Sequence, residues 1–412
     1  MEKTKPYNIP KCLIYEAYKR VKANKGSAGV DEQNLKDFDQ DLTNNLYKLW
    51  NRMSSGSYYP QVVKRVEIPK ANGGIRSLGI PTVADRIAQM AVKMQIEPEL
   101  ERHFHSDSYG YRPNKSAHQA LEQVRLRSWQ RAWVLDMDIK GFFDAIDHDL
   151  LMRAVEKHVK EPWQQLYITR WLQAPEQYPD GSIEQRTHGT PQGGVISPLL
   201  ANLFLHYTFD MWVEKHWEGI QFERYADDII CHCRTEQEAA ALKSILTQRF
   251  EQCGLQMHPD KTKIIYCKSW KHKADYAGIS FDFLGFTFRP RLIKTRQGRE
   301  LVCFLPSISQ KAAKRIRTEI NEWAWLKWQQ GDIKDIIRFS QSKLRGWMEY
   351  YGKFGRSVIT NVLFHFDKKL SRWAKRKYKK LKTLIQAAKR VNAFRRRNRL
   401  LLAHWNRVCV LG

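Results

Sequence analysis

The sequence predicts an α+β fold: a mixed body of helices and strands, an all-helical module after it, and a basic helical tail. Three observations carry this prediction. Up to about Ser309, strand-like runs alternate with runs whose apolar residues recur at helical spacing. From Ser309 the texture changes, and Ile316, Ile320 and Trp323 follow at helical spacing in a long basic helix. From His365 to Gly412 the chain holds 16 Lys+Arg against one acid, Asp367, with Trp373, Tyr378, Phe394 and Trp405 interleaved.

The 412 residues fit two or three domains, and 42% hydrophobic residues suffice for a full core. With 70 Lys+Arg against 43 Asp+Glu, the net charge is +27. A balance that basic points to a polyanionic partner, above all nucleic acid. The seven cysteines, Cys12, Cys231, Cys233, Cys253, Cys267, Cys303 and Cys409, are odd in number and irregular in spacing. That argues against a disulfide framework and fits a reducing cytoplasm. Cys231 and Cys233 have no second pair near enough in sequence to suggest a zinc site. "MEKTKPYNIPKCL" lacks the apolar core of a signal peptide, and "VISPLLANLFL", broken by Ser197, Pro198 and Asn202, is too short to span a bilayer. A cytoplasmic protein without membrane association is expected.

Residues 1 to about 60 read as helical around a loop, "KANKGSAGVD". "VVKRVEIPKANGGIRSLGIP" reads as a basic β-hairpin turning at Ala71–Gly74, where Asn-Gly-Gly supplies positive φ. Between Val83 and Leu100, Ile87, Met90, Ala91 and Met94 mark a helix. "RAWVLDMDIKGFFDAIDHDLL" reads as a buried strand running into a helix. "GTPQGGVISPLLANLFLHYTFDMW" reads as a glycine turn and then a buried helix, with Ser197 as N-cap and Pro198 as first helical residue. A hairpin at "FERYADDIICHC", a helix near 236–252 and strands at "TKIIYC" and "FDFLGFTFRP" follow. Beyond Ser309 a second helical stretch contains "KLRGWMEYYG".

Asp227 and Asp228 fall at the tip of their hairpin, inside an otherwise apolar run. Two adjacent carboxylates repel unless a cation or a proton relieves them. A divalent ion is the usual relief, and Mg2+ favours carboxylate oxygens together with substrate phosphates. A second cluster lies in "LDMDIKGFFDAID", where Asp136 and Asp138 share one face of a strand and Asp144 and Asp147 lie beyond. One strand-borne Asp with the hairpin pair would make a three-carboxylate cage for two metal ions, suited to phosphoryl transfer.

"YADD", "TPQGG" followed by "ISPLLANLFL", and "DIKGFFDAIDH" together resemble the reverse transcriptases of the group II intron-encoded class. "NKGSAGVD", "VEIPKANGGIRSLGIPTVADRIAQ", "HSDSYGYRPNKSAHQAL" and "FLGF" add to the match, in the family's order. "KLRGWMEYYG" looks like the family's thumb or maturase region. The resemblance implies a right-hand polymerase with fingers, a palm with an antiparallel sheet, a helical thumb and a basic helical C-terminal region. Residues 1–60 would be an N-terminal extension and the start of the fingers, 61–290 the fingers and palm, 291–365 the thumb or maturase domain, and 366–412 a basic DNA- and RNA-binding tail. No endonuclease domain is expected.

The family's three palm aspartates map onto Asp138, Asp227 and Asp228, with Asp136 the competitor for the first place; Ile139 joins them in the metal set. Asp144 and Asp147 would be structural. Phe142 resembles the gate that excludes a ribose 2′-hydroxyl. Lys70 and Arg76 look like ligands of the triphosphate. Gln192 and Gly193 resemble the part of "PQG" near the nucleotide. Lys261 resembles a general acid toward pyrophosphate, with Lys263 two residues on as its rival. Tyr109, Arg112 and Asn114 resemble a template-contacting segment, Gly285 part of the primer grip, and Arg345 a further template–primer contact.

The implied cofactor is Mg2+, two ions, with Mn2+ as a substitute. The implied partners are an RNA template (group II intron RNA), a DNA primer or target, and dNTPs; a homodimer is an allowed assembly. Two other functions compete: a splicing-only maturase that binds RNA, and a domesticated reverse transcriptase in defence, CRISPR adaptation or repair.

Overall fold

The structure is a computed structural model, and it describes residues 5–69, 74–295, 297–327 and 331–406. The chain divides into two compact units. One comprises the chain up to Ala120 together with Leu135–Ile264; the other comprises Leu121–Val134 and the chain from Ile265 onward.

Eleven strands are described: β1 (Val63–Pro69), β2 (Ile75–Ile80), β3 (Trp133–Asp138), β4 (Glu176–Gln177), β5 (Ile183–Glu184), β6 (Gln221–Tyr225), β7 (Asp228–Cys233), β8 (Lys263–Tyr266), β9 (Phe281–Phe283), β10 (Phe286–Lys294) and β11 (Glu300–Ile308). They form three sheets, ordered β2-β1-β4-β5, β6-β7-β3-β8 and β11-β10-β9. The basic hairpin is present as β1 and β2, antiparallel from Lys64↔Ile80 to Pro69↔Ile75. Most of its turn, 70–73, lies outside the described residues.

The first unit is built on buried helices. Val83–His103 is capped by the Thr82 hydroxyl, which accepts from the Asp85 amide, and it buries Ile87, Ala88, Ala91 and Val92. Asp85 is itself buried, and accepts from the Tyr58 hydroxyl and from Thr82. Ser197–Leu205 is buried nearly all round, as its composition predicts. Ser197 is its first helical residue rather than its cap, because the hydroxyl is engaged sideways as acceptor from Thr190 at 2.8 Å. The helix then widens into a π-turn at His206–Asp210.

In the second unit β10 pairs with β11 over nine residues, Phe286↔Ile308 to Lys294↔Glu300. The strand β11 goes beyond the sequence reading. Helices Gln310–Glu322, Ile333–Gly352, Arg356–Lys377 and Leu384–Arg397 follow. They pack around Trp325, Leu363, Phe366, Trp373 and Trp405, all at most 1% exposed. Asp367, the single acid after His365, is buried and accepts hydrogen bonds from Trp405 Nε1 at 2.8 Å, His404 Nε2 at 3.1 Å and Arg395 at 3.3 Å. The tail is thereby pinned to the preceding helix. Among the described residues no helix is long and apolar enough to cross a membrane.

Candidate active site

The carboxylate pair sits where the hairpin turns. β6 and β7 are antiparallel, with Tyr225 opposite Asp228, so Ala226 and Asp227 form a two-residue turn and Ala226 adopts φ 59°. The apolar residues after the turn, Ile229, Ile230 and Cys231, are fully buried and anchor β7 in the sheet. Beside β7 runs β3, where Asp136 and Asp138 are partly exposed while Met137 between them is buried. The strand's period of two thus gives both aspartates to one face.

The turn is held from below by a charge that the sequence reading missed. Arg224, fully buried, donates from Nε to Asp210 Oδ1 at 2.7 Å and from Nη2 to Asp210 Oδ2 at 2.6 Å. Its Nη1 donates to Asn202 Oδ1 at 2.9 Å and to the Ala226 carbonyl at 3.3 Å. Burial pushes the Asp210 carboxyl up, but the guanidinium beside it outweighs this and holds it below the usual carboxylate range. Asn202 and Asp210 come from the apolar helix and its π-turn, so polar residues inside "LLANLFLHYTFD" were the available signal.

The active-face carboxylates are electrostatically strained. Burial, and after it Asp136, Asp227 and Asp138, push the Asp228 carboxyl well above its ordinary range. Asp227 is raised too, by burial first and by Asp138, against smaller opposing effects of Arg76 and Lys261. Lys261 Nζ meets Asp138 Oδ2 at 2.5 Å, whereas Lys263 is an exposed residue that opens β8. Asp138 is engaged by Lys261, and no three carboxylate, histidine or cysteine groups among the described residues converge to hold a metal as they stand. The donor set still suits a hard divalent cation: all of it is oxygen, and the carboxylates raise one another's pKa on top of the effect of burial. Ile139 has a buried apolar side chain, so only its carbonyl could serve in the metal set.

Around these carboxylates stand several other residues singled out in the sequence. Arg76 is exposed on β2, bears on the Asp227 charge, and donates from Nε to Gln192 Oε1 at 3.1 Å. The Gln192 carbonyl accepts from the Gly79 amide at 3.0 Å, which ties the "PQG" loop to the basic hairpin. Gly193 has φ 138°, and a Cβ there would lie 2.5 Å from the Gly79 carbonyl oxygen. Only glycine fits. Lys70 lies outside the described residues.

Burial or internal pairing bears on three of the expected site residues, Phe142, Tyr109 and Arg112. Phe142 is 2% exposed and packs edge-on against Phe143, so it is a core residue; the half-exposed ring is that of Phe143. Tyr109 is buried, its hydroxyl donating to Asp107 at 3.1 Å, and offers no face for stacking on a base. Arg112 is consumed internally: it pairs with Glu101 at 2.9 Å and donates to the carbonyls of His105 and Ser108. Asn114 is exposed and adopts φ 61°, and its exposure is compatible with the expected contact. The exposed aromatic of this segment is instead Tyr111, whose hydroxyl is raised by burial and by Asp227. Asp147 caps helix His148–His158 by accepting from the Leu150 amide.

Gly285 and Arg345 belong to the other unit. Gly285, at φ 80°, forms with Leu284 the turn between β9 and β10; a Cβ there would lie 3.1 Å from the Tyr351 hydroxyl. Arg345 is exposed on helix Ile333–Gly352.

Comparison with known proteins identifies the family. The family "Reverse transcriptase (RNA-dependent DNA polymerase)" matches residues 68–288, more than half of the chain, and "Group II intron, maturase-specific domain" matches 310–392. Protein YkfC of Escherichia coli is 30% identical over 351 residues, covering 76% of this chain and 88% of that protein. Group II intron-encoded protein LtrA of Lactococcus lactis is 36% identical over 198 residues, 47% of this chain and 32% of LtrA. The putative COX1/OXI3 intron 2 protein of Saccharomyces cerevisiae is 29% identical over 207 residues, 50% of this chain and 24% of that protein. The chain therefore spans about a third or less of the two intron-encoded relatives. Reverse transcriptases generally work with divalent metal ions. The chain belongs to the group II intron-encoded reverse transcriptase/maturase family, as an RNA-directed DNA polymerase with a maturase-specific domain.

Proposed function

We propose that the chain extends a DNA primer on an RNA template, group II intron RNA in its natural setting, using Asp138, Asp227 and Asp228 as holders of two Mg2+ ions, with Mn2+ as a substitute. The carrying observation is the turn itself: two carboxylates of raised pKa face Asp136 and Asp138 across neighbouring strands. Bound divalent ions would neutralise these carboxylates and stabilise the charge that develops in phosphoryl transfer. Asp138 joins the set by leaving Lys261, which then faces the departing pyrophosphate as a proton donor. Arg76 binds the triphosphate, with Gln192 steering its guanidinium, and Lys70 is proposed for the same role. Phe143 takes the sugar-facing place that the sequence suggested for Phe142. Tyr111 supplies an aromatic face at the carboxylates.

The division of labour follows the proposed domains: fingers and palm over 61–290, thumb and maturase over 291–365, and a basic tail from 366 that adds affinity by neutralising phosphates. Arg345 and Gly285 are proposed as template–primer contacts.

The test is extension of a DNA primer annealed to RNA, with Mg2+ and dNTPs, by wild type and Asp227→Asn. Extension by wild type alone supports the polymerase reading. Tight RNA binding without extension on any template supports a splicing-only maturase. Equal extension by both proteins overturns the carboxylate assignment.

A further inference from the structure

A concentration of unpaired positive charge lies in the second unit. It lines a cavity of about 630 Å³ formed by the β10–β11 hairpin, the start of helix Gln310–Glu322 and helix Arg356–Lys377. Arg289 and Arg291 stand two residues apart on β10, hence on one face. Lys314 and Arg317 follow Gln310 at helical spacing, and Lys311 joins them from the first turn. Among the described residues no carboxylate lines the cavity and none of these five cations forms an ion pair. Burial, and after it Arg289, lowers the pKa of the Arg291 guanidinium.

Two further observations point to an anion. Helix Gln310–Glu322 begins at the cavity, and its Ser309 cap satisfies the Ala312 amide, which leaves the first amides of the helix without an intrahelical acceptor. Ser307 also lines the cavity, is 2% exposed, and its hydroxyl has no hydrogen-bond partner among the described residues. The remaining lining is Gln310 and the apolar Ile308, Ala313, Val358 and Val362.

We propose that this cavity binds one nucleotide unit of a nucleic-acid backbone, its phosphate on Arg289, Arg291, Lys314 and Arg317 at the helix N-terminus and its sugar over Val358 and Val362. Clustered guanidinium groups without a counter-charge are relieved by a phosphate, which arginine grips in bidentate fashion. A free phosphate ion would leave the apolar lining uncovered. The inference rests on nucleic-acid binding but not on polymerisation, so its test omits dNTPs.

The affinity of the full chain for a short labelled RNA–DNA hybrid is measured by anisotropy across a salt series. Wild type is compared with Lys314→Gln/Arg317→Gln, both of whose positions are exposed, and with Lys294→Gln, whose lysine pairs with Glu300 outside the cavity. Circular dichroism checks that each variant is folded. The double variant is expected to flatten the slope of log affinity against log salt by about 1 to 2 and to weaken binding about tenfold near physiological salt. A wild-type slope in the double variant, or an equal flattening by Lys294→Gln, overturns the proposal. A thermal-shift arm uses inorganic phosphate alone. Phosphate that stabilises wild type but not the double variant, with hybrid binding equal in both, would assign the cavity to free anions and overturn the backbone assignment.

Discussion

Lys261 Nζ lies 2.5 Å from Asp138 Oδ2, so the lysine occupies the strand carboxylate that the hairpin pair would share with a metal ion. Lysine and metal compete for one group, and the lysine is then free for the leaving pyrophosphate. Lys261→Met is expected to lower the Mg2+ concentration for half-maximal extension, because the competitor is gone. It is also expected to reduce the rate at saturating Mg2+ by about 10²-fold, the scale of a lost general acid. Lys263→Met should do neither. Metal titrations of single-turnover extension separate the two effects; equal behaviour of both variants refutes the assignment to Lys261.

Asp228 has a folded-state pKa well above its ordinary value, from burial first and then from its aspartate neighbours. The folded protein therefore holds this proton more tightly than the unfolded chain. Stability from this group is fully present below the unfolded carboxylate pKa of about 3.9 and is lost as pH rises from there through the raised folded value. Urea unfolding in EDTA should show Asp228→Asn gaining stability over wild type as pH rises, while Mg2+ should stabilise wild type more than the variant. A wild type at least as stable as the variant at neutral pH, without metal, would contradict this.

The two phenylalanines after Gly141 should separate cleanly. Phe142→Ala removes a buried ring and should cost about 3–5 kcal/mol of stability. Phe143→Ala should leave the melting temperature nearly unchanged and raise the incorporation of ribonucleotides. Sugar discrimination that responds to position 142 in a folded protein would restore the sequence-based assignment.

Arg224 positions the turn and touches neither substrate nor metal. Asp210→Asn or Arg224→Leu leaves a buried partner uncompensated, at a cost of about 3–5 kcal/mol. Asp210 titrates below its normal range, so the stability it contributes is present above the unfolded carboxylate pKa and lost as pH falls through the lowered one. Acid unfolding of wild type and Asp210→Asn should converge at low pH; curves that coincide throughout would show that the pair contributes nothing, and a constant offset that its contribution does not titrate.

Much of the site was legible from the chain. An Asp pair inside an apolar run, an alternating "DMD" strand and a glycine-rich loop each constrain the backbone locally, and local constraints are visible in one sequence. The place of the pair at a hairpin tip could be read from the chain, whereas the register that sets Tyr225 opposite Asp228 is a property of the structure. Lys261 could be named but not separated from Lys263, because that choice depends on which residue folds back across β3.

What failed was burial. "YGYRPN" contains two tyrosines and an arginine that read alike as nucleic-acid contacts, yet Glu101 claims Arg112, Asp107 claims the Tyr109 hydroxyl, and only Tyr111 is exposed. The same applies to Phe142 and Phe143, adjacent and identical in type. The sequence by itself determined the fold class, most of the order of elements and the place of the carboxylate pair at a hairpin tip, because period and charge are properties of the chain. The tertiary structure decided which side chain of each local group faces outward, and placed Asp210, Asn202 and Arg224 beneath the turn. Those outcomes depend on partners distant in sequence and on desolvation, which no local pattern records.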